Sequence, residues 1–320
     1  MKATFVCTLL LVMVAAPHAN AASPAKRKSE ARTASIHRTQ PHRKQPVRVI
    51  VPATLEIKAA TQLIADLKAE VPGVEKFLRD PRFHFDMRVI TGPVPLVGYP
   101  PEWSNSHPAG NYMLSDVALR NCAALLENNA EQFDVIEGQF RNAKAAVSRE
   151  AVAAILDAEH MCGAASLGTH PVAQTLFTLA AFRPRVVKRG WARAELITFF
   201  KLAQQYEFSE GMWRDPLAIM GSRRGAFGLT QDIPSAYAMT AMHFDGTHCI
   251  SQLESPTAPD VFDVHDATCS IANYLSRTGR TGYASFIRYN HSRGYANSCV
   301  KVTARLHANQ VTAHLRAATK

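Results

Sequence analysis

The stretch AVAAILDAEHMCG, residues 151–163, carries the pattern on which both the fold and the site depend. Val152, Ile155 and Leu156 recur at the i, i+3 and i+4 spacing that predicts one buried face of a helix. Glu159 is the next residue on that face, where an apolar side chain is expected. The carboxyl group could pair with a buried arginine, reach water at the edge of the face, or line a cleft. Burial in a cleft would disfavour the ionised form and raise its pKa.

Helical periodicity continues over most of the chain after residue 114 and predicts a mainly α core. Ser148 is suited to cap the start of the helix that contains Glu159, and Gly163 is suited to end it. Residues 221–234 are expected to form a glycine-rich loop, and residues 88–103 to be extended or irregular. The other predicted helices cover residues 57–70, 115–128, 131–144, 171–182, 192–206, 235–242, 264–278 and 282–289.

The first 21 residues have the features of a secretory signal peptide. Lys2 gives a positive start, residues 5–16 form a short apolar segment, and Ala19 and Ala21 match a small-x-small cleavage site. The apolar segment is too short to span a membrane. We therefore expect an exported, soluble protein, located in the periplasm.

Export changes how the cysteines are interpreted, because an oxidising compartment permits disulfides. After cleavage an odd number of cysteines is left, so two bridges are possible and at least one thiol stays unpaired within the chain. Spacing alone does not select the pairs. The sequence has no C-x-x-C or H-E-x-x-H pattern, and we predict neither a metal site nor a cofactor. The cysteines concerned are Cys122, Cys162, Cys249, Cys269 and Cys299.

Residues 22–48 are strongly basic, with eight Lys or Arg residues and Glu30 as their single acid. Few large apolar residues occur there, so we expect a disordered linker. The segment could be simply solvated, or it could bind an anionic surface of the cell envelope. Nucleic acid is disfavoured as a partner, because aromatic residues are not interleaved with the charges. The rest of the mature chain is close to neutral overall.

Beyond the pattern around Glu159, the sequence contains six motifs in a fixed order: ILDAEHMCG, QTLFTLA, AELITFF, GSRRGAFGLTQDIPSAY, DATCSIANYL and RYNHSRGY. Together they resemble the lytic murein transglycosylase B family, glycoside hydrolase family 103, over roughly residues 114–306. The resemblance implies a lysozyme-like catalytic domain at residues 114–320, mainly α with minor β and irregular segments. Residues 49–113 would then form a mixed N-terminal extension.

The resemblance also implies a reaction on peptidoglycan glycan strands. Such enzymes cut the β-1,4 bond between N-acetylmuramic acid and N-acetylglucosamine without adding water. One Glu first protonates the leaving oxygen, and then takes the proton of the muramic acid 6-hydroxyl as that group closes a 1,6-anhydro ring. Glu159 matches this catalytic Glu, which favours the cleft interpretation of its position.

Further positions carry over as substrate-binding residues. Ser222 and Gln231 match positions that hydrogen-bond the sugar near the scissile bond, with an ordinary surface loop as the alternative. Tyr289 and Asn290 match a pair that lines the cleft, unless they only terminate a helix. Tyr274 is placed to stack on a sugar ring or to fill the core.

Arg185 matches a basic position suited to a substrate carboxylate. A surface arginine with no such role is the alternative.

The sequence departs from the family pattern at several points. His160 follows the Glu where Ser or Thr is usual, and Arg223 and Arg224 replace an aromatic and a small residue. Residues 243–250 align with a cation-binding loop of some members but lack its oxygen-rich ligands. The two arginines, together with Asp232, support a rival interpretation, a catalytically weak peptidoglycan-binding protein.

Asp232 stands where the family has Phe, beside Gln231. A second carboxylate facing Glu159 could activate water, which would make the protein a lysozyme-like hydrolase. This is the second alternative.

Overall fold

The apolar pattern at residues 152–156 forms the buried face of a helix in the computed structural model, which describes residues 53–91, 113–182 and 190–318. The helices are α1 Ala53–Glu70, α2 Glu75–Leu78, α3 Arg88–Thr91, α4 Asp116–Asn128, α5 Ala130–Phe140, α6 Arg149–His160, α7 Val172–Phe182, α8 Trp191–Gln205, α9 Pro234–Thr240, α10 Val264–Arg277, α11 Tyr283–Tyr289 and α12 Arg293–Ala318. Two 3₁₀ turns, Gly211–Arg214 and Pro216–Ala218, follow α8. The predicted mainly α fold is confirmed.

Four short strands tie loops together within the described ranges. Strands β1, His170–Pro171, and β2, Met220–Gly221, pair antiparallel, with His170 opposite Gly221. Strands β3, Met242–Phe244, and β4, Cys249–Ser251, form a second antiparallel pair. The first pair matters most for the site, because it anchors the start of the predicted substrate loop.

Two buried clusters organise the helices. The first joins apolar residues of α1, α7 and α8 with Trp213, Phe227 and Tyr237. The second joins α4, α5, α6, α10 and α12. The loop at residues 221–234 touches both, since Phe227 is buried in the first cluster and Leu229 packs on the second. The loop is therefore held between two cores.

Helix α6 begins as its sequence predicts, but it ends before Gly163, at His160, with Met161 in the left-handed C-cap position. Ser148 Oγ accepts a hydrogen bond from the backbone N–H of Ala151 at 3.2 Å, which confirms the cap. After His160 the backbone reverses through Met161 and Cys162, whose φ angles are 54° and 52°, and Gly163, at φ 98°. This three-residue left-handed reversal stops the helix one residue after Glu159.

The cysteine pairs that the sequence left open are Cys122–Cys162 and Cys249–Cys269, and Cys299 is a buried free thiol. The first bridge ties the reversal after α6 to α4. The second joins β4 to α10.

Two differences from the sequence predictions have simple causes. Helix α12 was not predicted, because its buried positions include the small residues Ala296, Ser298 and Cys299 beside Val302 and Leu306, which gives a weak apolar signal. Residues 88–91 form one helical turn, α3, where extended chain was expected; the prolines that suggested it follow the turn.

Several predictions lie outside the described residues: the signal peptide, the basic segment 22–48 and the stretch 92–112. The proposed boundary at residues 113 and 114 stays a prediction, although α1 packs on α7 and α8 in the first cluster. Among the described helices, none combines the length and the apolar character that crossing a bilayer requires.

Candidate active site

Glu159 lies in the last turn of α6, and its side chain is partly exposed. Its Oε1 accepts a hydrogen bond from Tyr295 Oη at 2.8 Å. Burial raises the pKa of Glu159 to about 7; the Tyr295 hydrogen bond opposes this rise, and the nearby charge of Asp232 adds to it. A carboxyl group in this state is protonated in a large fraction of molecules near neutral pH.

Three tyrosines form one wall beside this carboxyl group. The ring of Tyr295 lies parallel to that of Tyr289, with 6.4 Å between centroids and 9° between planes. The ring of Tyr289 meets Tyr274 edge-on at 4.8 Å. Tyr289 Oη donates to the carbonyl of Thr230 at 2.6 Å, so the wall connects α6 to the loop at residues 221–234.

Close backbone contacts hold that loop in place. Gly221 pairs with His170 on one side and with Phe227 on the other, and the N–H of Phe227 donates to the carbonyl of Asp232 at 3.0 Å. Gly168 has φ 121°, and a Cβ atom there would lie 2.0 Å from the carbonyl oxygen of Gly221. The loop can therefore approach residues 167–168 this closely only where glycine is present.

Ser222 and Gln231 make contacts within and beside the loop. Ser222 Oγ accepts from the backbone N–H groups of Ala226 at 3.1 Å and Arg224 at 3.3 Å. Gln231 has φ 51°, and its Nε2 donates to the carbonyls of Leu167 at 3.1 Å and Gly228 at 2.9 Å. These contacts shape the loop, and sugar binding by the two side chains stays a prediction.

Asp232 places a second carboxyl group in the same region. It is 7% exposed, and burial raises its pKa to about 7. Its charge raises the pKa values of Glu159, Tyr274 and Tyr289, which brings all four groups into one electrostatic cluster.

The remaining predicted residues differ in placement. Asn290 caps the end of α11, and its Oδ1 is buried with no hydrogen-bond partner in the described structure. Tyr274 Oη donates to the carbonyl of Arg288 at 2.7 Å, while its ring packs on Tyr289. Arg185 lies outside the described residues.

The departures from the family pattern have structural roles. His160 is buried, which lowers its pKa to about 4, and its Nδ1 accepts from the N–H of Gly163 at 2.6 Å. The neutral ring thus closes the end of α6. Arg223 donates through Nη2 to the carbonyl of Arg88, so this guanidinium is bound to the N-terminal segment.

Asp245, the acid of the 243–250 loop, forms hydrogen bonds within the loop itself. Asp245 Oδ1 accepts from the backbone N–H groups of Thr247 and His248 at 2.8 and 2.7 Å. The carboxylate stabilises the turn between β3 and β4, and the sequence prediction of no metal site stays a prediction.

Sequence reasoning assigned no role to Tyr295 or Asp157. Tyr295 shares the buried face of α12 with Cys299, Val302 and Leu306, a periodic pattern that could have shown its direction. Asp157 is fully buried with no hydrogen-bond partner among the described residues, and burial raises its pKa to about 7. It lies within 4.8 Å of both sulfur atoms of the Cys122–Cys162 bridge, whereas Glu159, on the same helix, is partly exposed.

Comparisons with known proteins identify the family and the fold of this chain. Residues 100–286 match the family described as the transglycosylase SLT domain. No sequence among the curated proteins matches the chain.

Solved structures show the same fold. The chain is similar to the lytic transglycosylase Slt35 of Escherichia coli in complex with calcium, at 18% identity and a TM-score of 0.60, covering 79% of this chain and 94% of that chain. It is similar to the soluble lytic transglycosylase SltB1 of Pseudomonas aeruginosa, at 19% identity and a TM-score of 0.60, and the match covers 80% of this chain and 99% of that chain. It is also similar to SltB3 of Pseudomonas aeruginosa in complex with NAG-anhNAM-pentapeptide, at 19% identity and a TM-score of 0.54, and the match covers 79% of this chain and 79% of that chain. The predicted lytic-transglycosylase fold is confirmed.

Proposed function

This chain belongs to the transglycosylase SLT family and is a lytic transglycosylase, and on that premise we propose that it cleaves peptidoglycan glycan strands with Glu159 as its single acid and base. The observation that carries the proposal is Glu159 itself, a partly exposed carboxyl group that is hydrogen-bonded to Tyr295 and has a pKa of about 7.

The first step needs a proton donor. Protonated Glu159 gives its proton to the glycosidic oxygen of the leaving N-acetylglucosamine, and the bond from that oxygen to C1 of N-acetylmuramic acid breaks. Positive charge develops at C1, where the substrate's own N-acetyl group can assist. Tyr295 donates to the carboxylate that this step leaves behind and so stabilises it.

The second step returns the proton to the enzyme. The Glu159 carboxylate removes the proton of the muramic acid 6-hydroxyl, and O6 bonds to C1 to close the 1,6-anhydro ring. The enzyme ends in its starting protonation state and no water is consumed. A second enzymic carboxylate is therefore unnecessary for this reaction.

The products test the proposal directly. Digestion of purified sacculi is expected to release soluble muropeptides that end in 1,6-anhydro-N-acetylmuramic acid, which is 18 Da lighter than the hydrolytic product because one water is absent. Mass spectrometry of the released ends measures this. Binding to sacculi without any release would support the rival interpretation, a peptidoglycan-binding protein with little activity.

A second candidate, hydrolysis, has one specific observation in its favour. Asp232 is buried with its own pKa raised to about 7, and its charge raises the pKa of Glu159, so a second carboxyl group is present that could activate water. Reducing-end N-acetylmuramic acid as the main product, lost in Asp232→Asn, would favour hydrolysis. Anhydro products from both proteins would exclude it.

Substitutions of Tyr295 and Asp232 are expected to shift the pH profile of cleavage in opposite directions. Because the first step needs the protonated acid, kcat/KM should fall as pH rises through the pKa of about 7. Tyr295→Phe removes a bond that lowers this pKa and should move the fall to higher pH. Asp232→Asn removes a charge that raises it and should move the fall to lower pH.

Profiles measured on a soluble glycan fragment check this prediction. Tyr274→Phe is the control, because its hydroxyl bonds the carbonyl of Arg288 and not Glu159. Shifts in one direction for both Tyr295→Phe and Asp232→Asn would contradict the electrostatic assignment.

We also propose that the protein acts after export. The support is the signal-peptide pattern of residues 1–21. The basic segment 22–48 would then lie outside the cytoplasm, where it can contact anionic envelope surfaces.

A further inference from the structure

Charge is unevenly divided along the chain after residue 48. Residues 49–266 contain 25 Asp or Glu and 19 Lys or Arg residues, whereas residues 267–320 contain eight Lys or Arg and no acid. The near-neutral average predicted for this part of the chain therefore combines an acidic segment with a strongly basic one. The basic segment includes the end of α10, all of α11 and all of α12.

We call five of these cations, which lie on or next to α11 and α12, the basic ridge: Arg280, Arg288, Arg293, Lys301 and Arg305. All five are exposed. In the described ranges, the ion pairs of Lys and Arg side chains are made by residues outside the basic segment, namely Arg82, Arg88, Arg149, Arg193 and Lys201. The ridge is thus a set of cations whose charge is not neutralised by acids of its own segment.

The ridge begins at the proposed active site. Arg288 and Arg293 flank Tyr289 and Asn290 in the sequence, and α12, which begins at Arg293, carries Tyr295, whose hydroxyl bonds Glu159. From Arg293 the ridge continues along α12 to Lys301 and Arg305, a distance of about 18 Å at the rise of an α-helix. A ligand on the ridge would therefore extend from the cleft along α12.

We propose that the basic ridge binds the carboxylates of the peptide stems that peptidoglycan strands carry, outside the sugars at the cleavage site. The inference rests on the proposed function. A stem peptide ends in a carboxylate, and a solved relative was crystallised with a disaccharide that carries a pentapeptide. Successive stems along a strand form an extended anion, which matches an extended cationic surface.

The composition of the ridge favours this partner over a lipid surface. Helices that lie on anionic membranes combine basic residues with a broad face of large apolar side chains. Between Arg280 and Arg305, every residue of which is described, Tyr283 and Val300 are the two large apolar residues at exposed positions, and Val311 and Leu315 are exposed beyond the ridge on α12. The ridge offers charge and little apolar area, as expected for a soluble polyanion.

Binding of the full chain to sacculi tests the proposal, with Glu159→Gln in the background so that substrate persists. Adding Lys301→Gln and Arg305→Gln should weaken binding at low salt by about fivefold, as expected for two exposed charge contacts. The difference should disappear at about 1 M salt, where exposed charges are screened. Lys68→Gln with Arg79→Gln, two exposed cations outside the basic segment, is the matched control and should bind like the parent.

Two further substrates decide what the ridge recognises. Glycan strands stripped of their stems should bind the ridge variant and the parent equally. An unchanged affinity of the ridge variant for intact sacculi would overturn the proposal, as would an equal loss on stripped strands. Ridge-dependent binding to phosphatidylglycerol vesicles, with sacculi unaffected, would assign the ridge to lipid instead.

Cleavage provides a separate readout. If the chain with Glu159 intact releases no muropeptides while ridge-dependent binding persists, the catalytic proposal fails and the ridge proposal stands. If cleavage is normal while the ridge variant binds like its parent, the ridge proposal alone fails.

Discussion

Glu159→Gln is expected to lower the rate of muropeptide release by about 10³-fold, the loss that removal of an essential general acid produces. The amide has nearly the same shape as the carboxyl group and can still accept the Tyr295 hydrogen bond. It cannot protonate the leaving oxygen, and it cannot take the proton of the 6-hydroxyl. Both steps of the proposed reaction are therefore blocked by a change that leaves packing intact.

Controls separate chemistry from folding in this experiment. Glu131→Gln, an exposed position on α5, should release muropeptides like the unaltered protein. The thermal midpoint and circular dichroism of Glu159→Gln should match those of the parent, and its binding to sacculi should persist. Release at the parental rate by Glu159→Gln would show that another group is the acid, and Asp232 would be the first to test.

Gly168→Ala is expected to destabilise the protein by at least about 3 kcal/mol and to impair cleavage. A Cβ atom at this position would lie 2.0 Å from the carbonyl oxygen and 2.2 Å from the carbonyl carbon of Gly221. Both are backbone atoms, so no side chain can rotate to make room. The start of the 221–234 loop must move, and this displaces Ser222 and Gln231, which the same loop carries.

Gly163→Ala is the matched control for backbone strain. Gly163 also has a positive φ, 98°, but a Cβ atom there would meet no atom within 4 Å. Its cost should be about 1–2 kcal/mol, from the left-handed conformation alone. Denaturant unfolding of both variants measures the difference, and equal losses would show that the close approach of Gly168 to Gly221 is unimportant for stability.

Local sequence signals are sufficient to predict most of the helices. In α6 the apolar spacing, the Ser148 cap and the glycine after the last turn all act within a few residues, so a short window contains the information. The same window places a carboxyl group on the buried face at Glu159. The order of the sequence blocks then indicates the reaction class.

Local signals fail where the determining partners are distant in sequence. Tyr295 bonds Glu159 across 136 residues, and Cys162 pairs with Cys122 across 40. Helix α12 gives a weak periodic signal because its buried positions include the small residues Ala296, Ser298 and Cys299 beside Val302 and Leu306. Its packing on α6 brings Tyr295 to Glu159, and no spacing in the chain reveals that contact.

The sequence by itself therefore determines the helix that presents a carboxyl group at position 159, because helix periodicity and capping depend on neighbouring residues. The tertiary structure alone decides that this group has a pKa of about 7, because burial, the Tyr295 hydrogen bond and the charge of Asp232 come from three separate segments. It also decides where the basic ridge lies. Net charge can be counted from the sequence, but its exposure beside the cleft depends on how α11 and α12 pack.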